Sequence, residues 1–275
     1  MKIGIIGNGV VGNATARTYM EFHDVHVYDT VKEKSSHTLD EVLQCEMIFI
    51  CLPTPQGTNE NPMALNTQAI TKLLSEDISR KYRKTCFIIK STVPVGFTDR
   101  MAEIYSFDNL FHSPEFLTAR CAVTDAQIPS RNIIGVPTSR KRLSLIHLEA
   151  LRELQNLYRR RFPGIRVHVM SSHESEFLKL MQNSFFATKI GFFNEMYALA
   201  THLQLDWEPI MKGLLSDGRI AHSHTKVPGP DGEFGFGGAC LPKDLASMIT
   251  ELDKSKLQHG ILRAVYDRNE MLDRT

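Results

Sequence analysis

Ile3-Gly4-Ile5-Ile6-Gly7-Asn8-Gly9-Val10-Val11-Gly12 stands at the head of the chain, and three glycines directly after a short apolar run decide the fold. The run has the length and composition of a buried strand. Gly7 permits a tight turn, Gly9 lets the backbone come close to a pyrophosphate, and Gly12 allows the next helix, expected from Asn13 to about Met20, to pack closely on the strand. Val25-His26-Val27-Tyr28 forms a second strand that closes on Asp29. An acid about twenty residues beyond the glycines meets a ribose 2′-hydroxyl. Strand, glycine turn, helix, strand and acid in this order make the Rossmann dinucleotide fingerprint, with the helix N-terminus facing the phosphates. Asp29 would repel a 2′-phosphate, so NAD is the expected cofactor rather than NADP.

Further strands are expected at Met47 to Cys51, Cys86 to Lys90, Asn109 to His112 and Asn132 to Val136. Helical stretches fall between them around Thr38 to Gln44, Asn66 to Arg83 and Arg140 to Arg160. Such alternation predicts a parallel sheet covered on both faces, with ligands gathered at the carboxyl ends of its strands. The unusual peptides lie at those ends: Leu52-Pro53-Thr54-Pro55, Ser91-Thr92-Val93-Pro94 and Ser113-Pro114-Glu115-Phe116. Each has the composition of a plain turn, and three in register suggest one wall of a cleft.

After Val167-His168-Val169 the pattern changes. From Ser172 to about His202 there is no proline, and Phe177, Leu180, Met181, Phe185, Phe192 and Met196 recur at helical spacing. Ser171 or Ser172 caps this helix, with Glu174 and Glu176 expected in its first turn. Lys179 and Asn183 share one of its faces. A domain boundary is therefore expected near Ser171. The fold class is α/β: an N-terminal Rossmann doubly wound sheet over residues 1–170, then an all-α central and dimerisation domain over residues 171–275. Helices are expected at Trp207 to Leu215, Leu241 to Leu252 and Leu257 to Leu272. The polar stretch from Ala221 to Glu233 is a long loop; its His222 and His224 lack the Cys or carboxylate spacing of a zinc site, and no metal is expected.

Phe234-Gly235-Phe236-Gly237-Gly238-Ala239-Cys240-Leu241-Pro242-Lys243-Asp244 ends that loop. The glycines let the backbone lie flat against a ligand, and Pro242 suits the first turn of a helix. Cys240 therefore sits where a loop hands over to a helix, a place that with Lys243 nearby favours the thiolate. Asp244, four residues on, is expected on the same face.

The 275 residues are 42% hydrophobic, with 32 Lys and Arg against 31 Asp and Glu, a net charge of +1. No global field favours nucleic acid or an anionic membrane, so an anion must be bound locally. Five cysteines without paired spacing point to a reducing compartment. A strand begins directly after Met1, and no run of about 18 apolar residues occurs. The expectation is a soluble, cytoplasmic chain without a leader.

Seven motifs in order resemble the nucleotide-sugar 6-dehydrogenases, the UDP-glucose/GDP-mannose family, and most nearly its UDP-glucose members. They are Gly7 to Gly12, Pro53-Thr54-Pro55, Ser91 to Gly96, Pro114-Glu115-Phe116-Leu117, Glu176 through Lys179 to Asn183, Asp217 through Arg219-Ile220, and Gly235 to Asp244. The resemblance implies NAD-dependent, metal-free, four-electron oxidation of an NDP-sugar alcohol to a carboxylate. It implies that Cys240 attacks the intermediate aldehyde and carries a thiohemiacetal and then a thioester. Lys179 and Asn183 would stabilise the oxyanion, and Glu115, Thr92 and Asp244 would hold or activate water and carry protons. NAD would meet Gly7, Gly9, Val10, Val11, Gly12, Asp29, Lys34, Leu52, Pro53, Thr54, Ser91, Thr92 and Lys243. The sugar nucleotide would meet Glu115, Phe116, Leu117, Lys179, Asn183, Gly235, Phe236 and Gly237, with Arg219 reaching a neighbouring subunit's substrate in a homodimer.

Three departures from the family pattern stand out. Thr118-Ala119-Arg120 replaces a second acid and glycine, Pro228-Gly229-Pro230-Asp231-Gly232 lengthens the loop, and the sequence ends at Thr275 where the family continues into a C-terminal nucleotide-binding domain. Two other functions stay open. One is an NAD-binding accessory protein that needs a partner chain; the other is a two-electron β-hydroxyacid dehydrogenase, which needs no cysteine nucleophile.

Overall fold

Alternate residues of the first strand bury on opposite faces: Ile3 and Ile5 join one core, Ile6 the other. The same division runs through Met47 and Phe49 against Ile48 and Ile50, and through Cys86 and Ile88 against Phe87 and Ile89. Strands apolar on both faces can only be satisfied with helices above and below them. The computed structural model describes residues 1–58, 60–139 and 144–274 and has that architecture.

The elements run β1 (Lys2–Ile6), α1 (Val10–Tyr19), β2 (Asp24–Tyr28), α2 (Leu39–Leu43), β3 (Met47–Ile50), α3 (Gln68–Leu73), α4 (Glu76–Lys81), β4 (Cys86–Ile89), α5 (Phe97–Ile104), β5 (Leu110–His112), α6 (Ala122–Gln127), β6 (Asn132–Val136), α7 (Leu145–Arg161), β7 (Val167–Ser171), α8 (Ser172–His202), α9 (Trp207–Leu215), α10 (Leu241–Lys254) and α11 (Gly260–Arg268). The seven strands form one sheet in the order β2-β1-β3-β4-β5-β6-β7. One core lies under α1 and α7 around Tyr19, Phe49, Leu154 and Tyr158. The other lies under α2, α3 and α5 around Val42, Ile70, Phe97 and Met101. Strand order reverses between β1 and β3, which is the switch point where doubly wound sheets hold nucleotides.

The expected all-parallel sheet is corrected at one place: β6 runs antiparallel to β5, with His112 opposite Gly135. The segment from Ser113 to Arg131 returns at the edge of the sheet where β5 ends, so no crossover is needed. The stretch from Asn66 to Arg83 is two helices rather than one. Leu74 leaves the helix with ψ 105°, and Ser75 caps the second by accepting from Ile78 N at 3.3 Å. The start expected at Arg140 for α7 lies outside the described residues. Helices α5 and α6 were not anticipated.

By internal contact the chain divides into two units. The first comprises Met1–Pro55 and Leu65–Lys179, the second Gln56–Ala64 and Leu180–Thr275. The division falls inside α8. The short segment of the second unit closes on itself through Gly57 N to Ala64 O at 2.9 Å. Met63 packs with Ala187, Phe236, Leu245 and Ile249 in that unit's core.

Candidate functional site

In the first unit Gly7 has φ +92°, and a Cβ there would meet the carbonyl oxygen of Cys51 at 2.6 Å. A Cβ on Gly12 would collide with the carbonyl oxygen of Gly7, whereas one on Gly9 would project into open space. Two glycines thus serve the turn, and the third leaves a cradle at the N-terminus of α1, where Val10 and Val11 begin the helix. Beside it, Asp29 Oδ2 accepts from Asn8 N at 2.6 Å and Oδ1 from Val31 N at 2.9 Å. Burial works to raise this carboxyl, but the N–H groups of Val31 and Asn8 and the charge of Lys34 hold it below its ordinary value. Lys34 adds its carbonyl oxygen, which accepts from Asn8 Nδ2 at 2.7 Å. An open cradle at a helix N-terminus beside a fixed anion fits a dinucleotide with a free ribose diol.

The loops after β3 and β4 are tied together. Ser91 Oγ donates to Leu52 O at 2.6 Å, and Thr54 Oγ1 donates to Thr92 O at 2.8 Å, both in the interior, with Pro53 exposed between them. Beyond β5, Glu115 accepts from Lys179 Nζ at 2.9 Å and from Leu117 N at 2.6 Å. The Lys179 side chain is 4% exposed, and its ammonium lies 5.6 Å from the ring centre of Phe116. Burial pushes Glu115 up, but Lys179 and the Leu117 N–H outweigh it and leave the carboxyl below its ordinary range. The two side chains form a buried ion pair. Where the family acid is replaced, Thr118 N donates to Asp125 Oδ2 at 2.7 Å, and residues 118 to 120 are exposed.

Glu176 is not in the first turn of α8, as expected from sequence; Glu174 is, in a reciprocal cap with Ser171. Glu176, one turn on, points inward and accepts from Gly96 N at 2.6 Å and Thr98 N at 2.8 Å, so it caps α5. Burial pushes its carboxyl up to about 7 against those two N–H groups.

In the second unit Cys240 is exposed and is the N-cap of α10, with Pro242 in the first turn. The preceding loop is fixed through its backbone. Gly235 at φ +64° donates its N–H to Asn194 Oδ1 at 3.0 Å, and Phe236 donates to Asn269 Oδ1 at 2.8 Å. The Phe236 ring is buried, so this residue offers a ligand only its backbone. The guanidinium of Arg274 lies against Gly237 and pairs with Asp231 at 2.7 Å.

Asp244 donates its backbone N–H to the Cys240 carbonyl at 3.0 Å and is buried where Cys240 is exposed. Its carboxylate is fully buried, accepts from Asn183 Nδ2 at 2.6 Å and pairs with Lys243 Nζ at 2.5 Å. The ammonium of Lys243 is therefore matched by its own neighbour, which weakens its expected pull on the thiol. Arg219 is likewise matched, in a two-pronged contact with Asp217 at the surface. His224 stacks on Phe186 at 4.0 Å, and among the described residues no group of three or more His, Cys, Asp or Glu could hold a metal.

Site-related residues missed from sequence are Asn194 and Asn269, which hold the glycine loop, and Lys90, which directly follows β4 and is partly buried. Only Lys90 left a signal. A lysine follows the apolar pair Cys86 and Ile88 on that face.

The NAD binding domain of the UDP-glucose/GDP-mannose dehydrogenase family matches residues 30–160, and that family's central domain matches residues 173–271. A UDP-glucose 6-dehydrogenase of Campylobacter jejuni is 30% identical over 98% of this chain, which spans 72% of that enzyme. The corresponding enzyme of Pseudomonas aeruginosa is 34% identical over 98% of this chain, which spans 65% of it. Among solved structures, a UDP-glucose dehydrogenase from the hyperthermophilic archaeon Pyrobaculum islandicum superposes with a TM-score of 0.79 at 24% identity, covering 98% of this chain and 68% of that one. At that identity the likeness concerns the fold. Among the described residues no helix is long and apolar enough to cross a membrane.

Proposed function

The chain belongs to the UDP-glucose/GDP-mannose dehydrogenase family, and from that membership we propose that it oxidises the primary alcohol of an NDP-sugar, UDP-glucose in the first instance, to the carboxylate. Two hydrides leave one sugar carbon in succession, and NAD⁺, when bound, accepts each. In this reading Cys240 Sγ adds to the carbonyl carbon of the intermediate aldehyde. The negative charge that gathers on the aldehyde oxygen is stabilised by the Lys179 ammonium and the Asn183 carboxamide, preorganised donors of the kind that lower such barriers most. After the second oxidation the acyl group is a thioester on Cys240. Water held and activated by Glu115, Thr92 and Asp244 then releases the carboxylate and restores the thiol.

Two features support these roles. The buried pairing of Glu115 with Lys179 holds the ammonium in place beside a carboxylate. The Asn183 bond to Asp244 uses one N–H of the carboxamide and leaves the other for a ligand. The backbone of Gly235 to Gly237, with Phe116 and Leu117, would receive the sugar; Arg219 would serve the substrate of a second copy. A nucleophilic thiol also implies a reducing, cytoplasmic home.

The single observation that carries the reading is an exposed cysteine at the N-cap of a helix, after a glycine loop held by two asparagines. The test is an NADH absorbance assay over a panel of UDP- and GDP-sugars. Two NADH per sugar are expected, and Cys240→Ser should abolish the full oxidation because a hydroxyl lacks the thiolate population needed to form and turn over the acyl intermediate. One NADH per sugar, or unchanged activity in Cys240→Ser, would mean that the cysteine is structural. A second reading is NAD binding without sugar oxidation unless another chain assists. NAD⁺ binding with no NADH from any sugar would select it.

A further inference from the structure

The buried face of the first two turns of α8 is polar. Ser172, Ser175, Glu176 and Lys179 lie on it, each at most 4% exposed. Polar groups persist in an interior where they have partners, so the partners show what the helix is docked against. Ser172 Oγ donates to Asp99 Oδ2 at 2.9 Å, and Glu176 accepts from Gly96 and Thr98, which ties α8 to α5. Ser175 faces β5 instead. Its Oγ shares a hydrogen bond of 2.5 Å with Nδ1 of His112, the last residue of that strand, and both residues are fully buried.

Strand β6 makes room for this contact. Gly135 pairs with His112 across the antiparallel edge, and a Cβ on Gly135 would lie 2.2 Å from Ser175 Oγ and 2.9 Å from Ser175 Cβ. The serine therefore occupies the space that a side chain at residue 135 would take. Burial, then the Lys90 charge, push the His112 imidazole down to about 3, so the ring is neutral near pH 7 and brings no second cation toward Lys179.

Glu115 follows His112 by three residues, and Lys179 follows Ser175 by four, about one helical turn or 6 Å of rise. A single contact between a helix and a strand end leaves the helix free to turn about that contact. A second contact, one turn away, removes the rotation. We infer that His112 and Ser175 are positioning residues: they set the rotation of α8 against the end of β5, and so the place of the Lys179 ammonium beside Glu115. Neither touches the reacting atoms. The consequence for turnover rests on the proposed sugar oxidation; the consequence for Lys179 itself does not. For a group that must meet a developing charge, a displacement of about 1 Å lowers the rate by up to about a hundredfold.

The test is His112→Leu combined with Ser175→Ala in the full chain. Removing both partners together leaves no lone polar group between them, so the melting temperature should stay within a few degrees. Acetylation of Lys179 by sulfo-N-hydroxysuccinimidyl acetate, read by peptide mass against exposed Lys72 in the same sample, should quicken by about fivefold or more, the range of one hydrogen bond. With the sugar nucleotide that yields most NADH, kcat should fall by at least about tenfold while the KM for NAD⁺ is unchanged. His112→Asn, whose carboxamide donates or accepts at the place of Nδ1, should return both readouts toward those of the unmodified protein. A mere loss of buried volume would not be repaired by the smaller Asn. If melting curves show that the double variant does not fold, Ser175→Ala and His112→Asn decide, the first expected to show both changes and the second neither. Unchanged Lys179 acetylation in the folded variants overturns the proposal, and so does a fall in kcat that His112→Asn fails to reverse. Absence of NADH from every sugar in the unmodified protein would overturn the proposed function alone, because the acetylation rates stand without it.

Discussion

Asp29 already accepts two backbone N–H groups, from Asn8 and Val31. Each carboxylate oxygen can accept a further hydrogen bond, so a ribose diol can be added without breaking the turn. A 2′-phosphate would instead bring a second anion against a carboxylate that stays ionised at neutral pH. Calorimetry should therefore give NAD⁺ an affinity at least about tenfold above that of NADP⁺, and Asp29→Asn should narrow the ratio by removing the repelling charge. Equal affinities in the unmodified protein would show that the end of β2 does not contact the ribose. Lys179 and Glu115 pose a different problem, because their pair is buried. Removing one member leaves an uncompensated charge at a cost of about 3–5 kcal/mol, so a loss of activity in Lys179→Met alone would be ambiguous. The double variant Glu115→Gln with Lys179→Met leaves no such charge. It should melt closer to the unmodified protein than Lys179→Met does, while NADH turnover stays down by on the order of a hundredfold or more. Recovered turnover in the double variant would remove Lys179 from the chemistry.

Glu176 joins two elements: it belongs to α8 and caps the N-terminus of α5. Its carboxyl is raised by burial from an ordinary value near 4.5 to about 7, so between those pH values the folded chain holds a proton that the unfolded chain has lost. The sign follows from linkage. The stabilising contribution is complete below about 4.5 and is lost as pH rises through about 7. Glu176→Gln has no such proton, so denaturant midpoints of the unmodified protein minus those of the variant should fall from pH 5 to pH 8. A difference that grows with pH would mean that the Gly96 and Thr98 N–H groups hold Glu176 ionised. Nothing local in the sequence reveals this contact, which reaches back from α8 to the start of α5. The fingerprint was legible because every part of β1, the glycine turn, α1 and β2 lies within thirty adjacent residues and each glycine has its own steric reason. The direction of β6 was not, since an antiparallel neighbour depends on where the preceding segment runs, not on the strand's own residues. The break between α3 and α4 was marked only by Ser75, a weak cap signal inside an otherwise helical run. At the site, Asp244 was read one helical turn from Cys240 and therefore on its face. The Asp244 bond to buried Asn183, and its burial beside an exposed Cys240, had no signal in the sequence.

At the scale of the whole molecule, α8 is the longest element, and 31 residues at 1.5 Å each extend over about 46 Å. Along it and at the residue just past its end, Phe177, Met181, Phe185, Phe192, Leu199 and Leu203 are each about half exposed, between 47% and 61%. Their spacing by fours and sevens keeps them on one stripe. A contiguous apolar stripe of this length on a water-soluble surface marks an interface. A second copy supplies the same stripe, so a two-fold pair is self-complementary. Covering the exposed half of six large apolar side chains on each of two copies stabilises the pair by on the order of 10 kcal/mol. The entropic cost of association is of the same order, so we predict a homodimer that separates on dilution. Sedimentation should give a dimer mass at tens of micromolar, and Phe185→Arg with Phe192→Arg should shift the chain to monomer without lowering its melting temperature by more than a few degrees, because both side chains already face water. The arginine variant also tests the role proposed for Arg219. If that guanidinium serves the substrate of the second copy, the monomeric variant should keep its NAD⁺ affinity and lose sugar-nucleotide affinity. A monomer mass at all concentrations in the unmodified protein would remove both the pairing and the shared arginine.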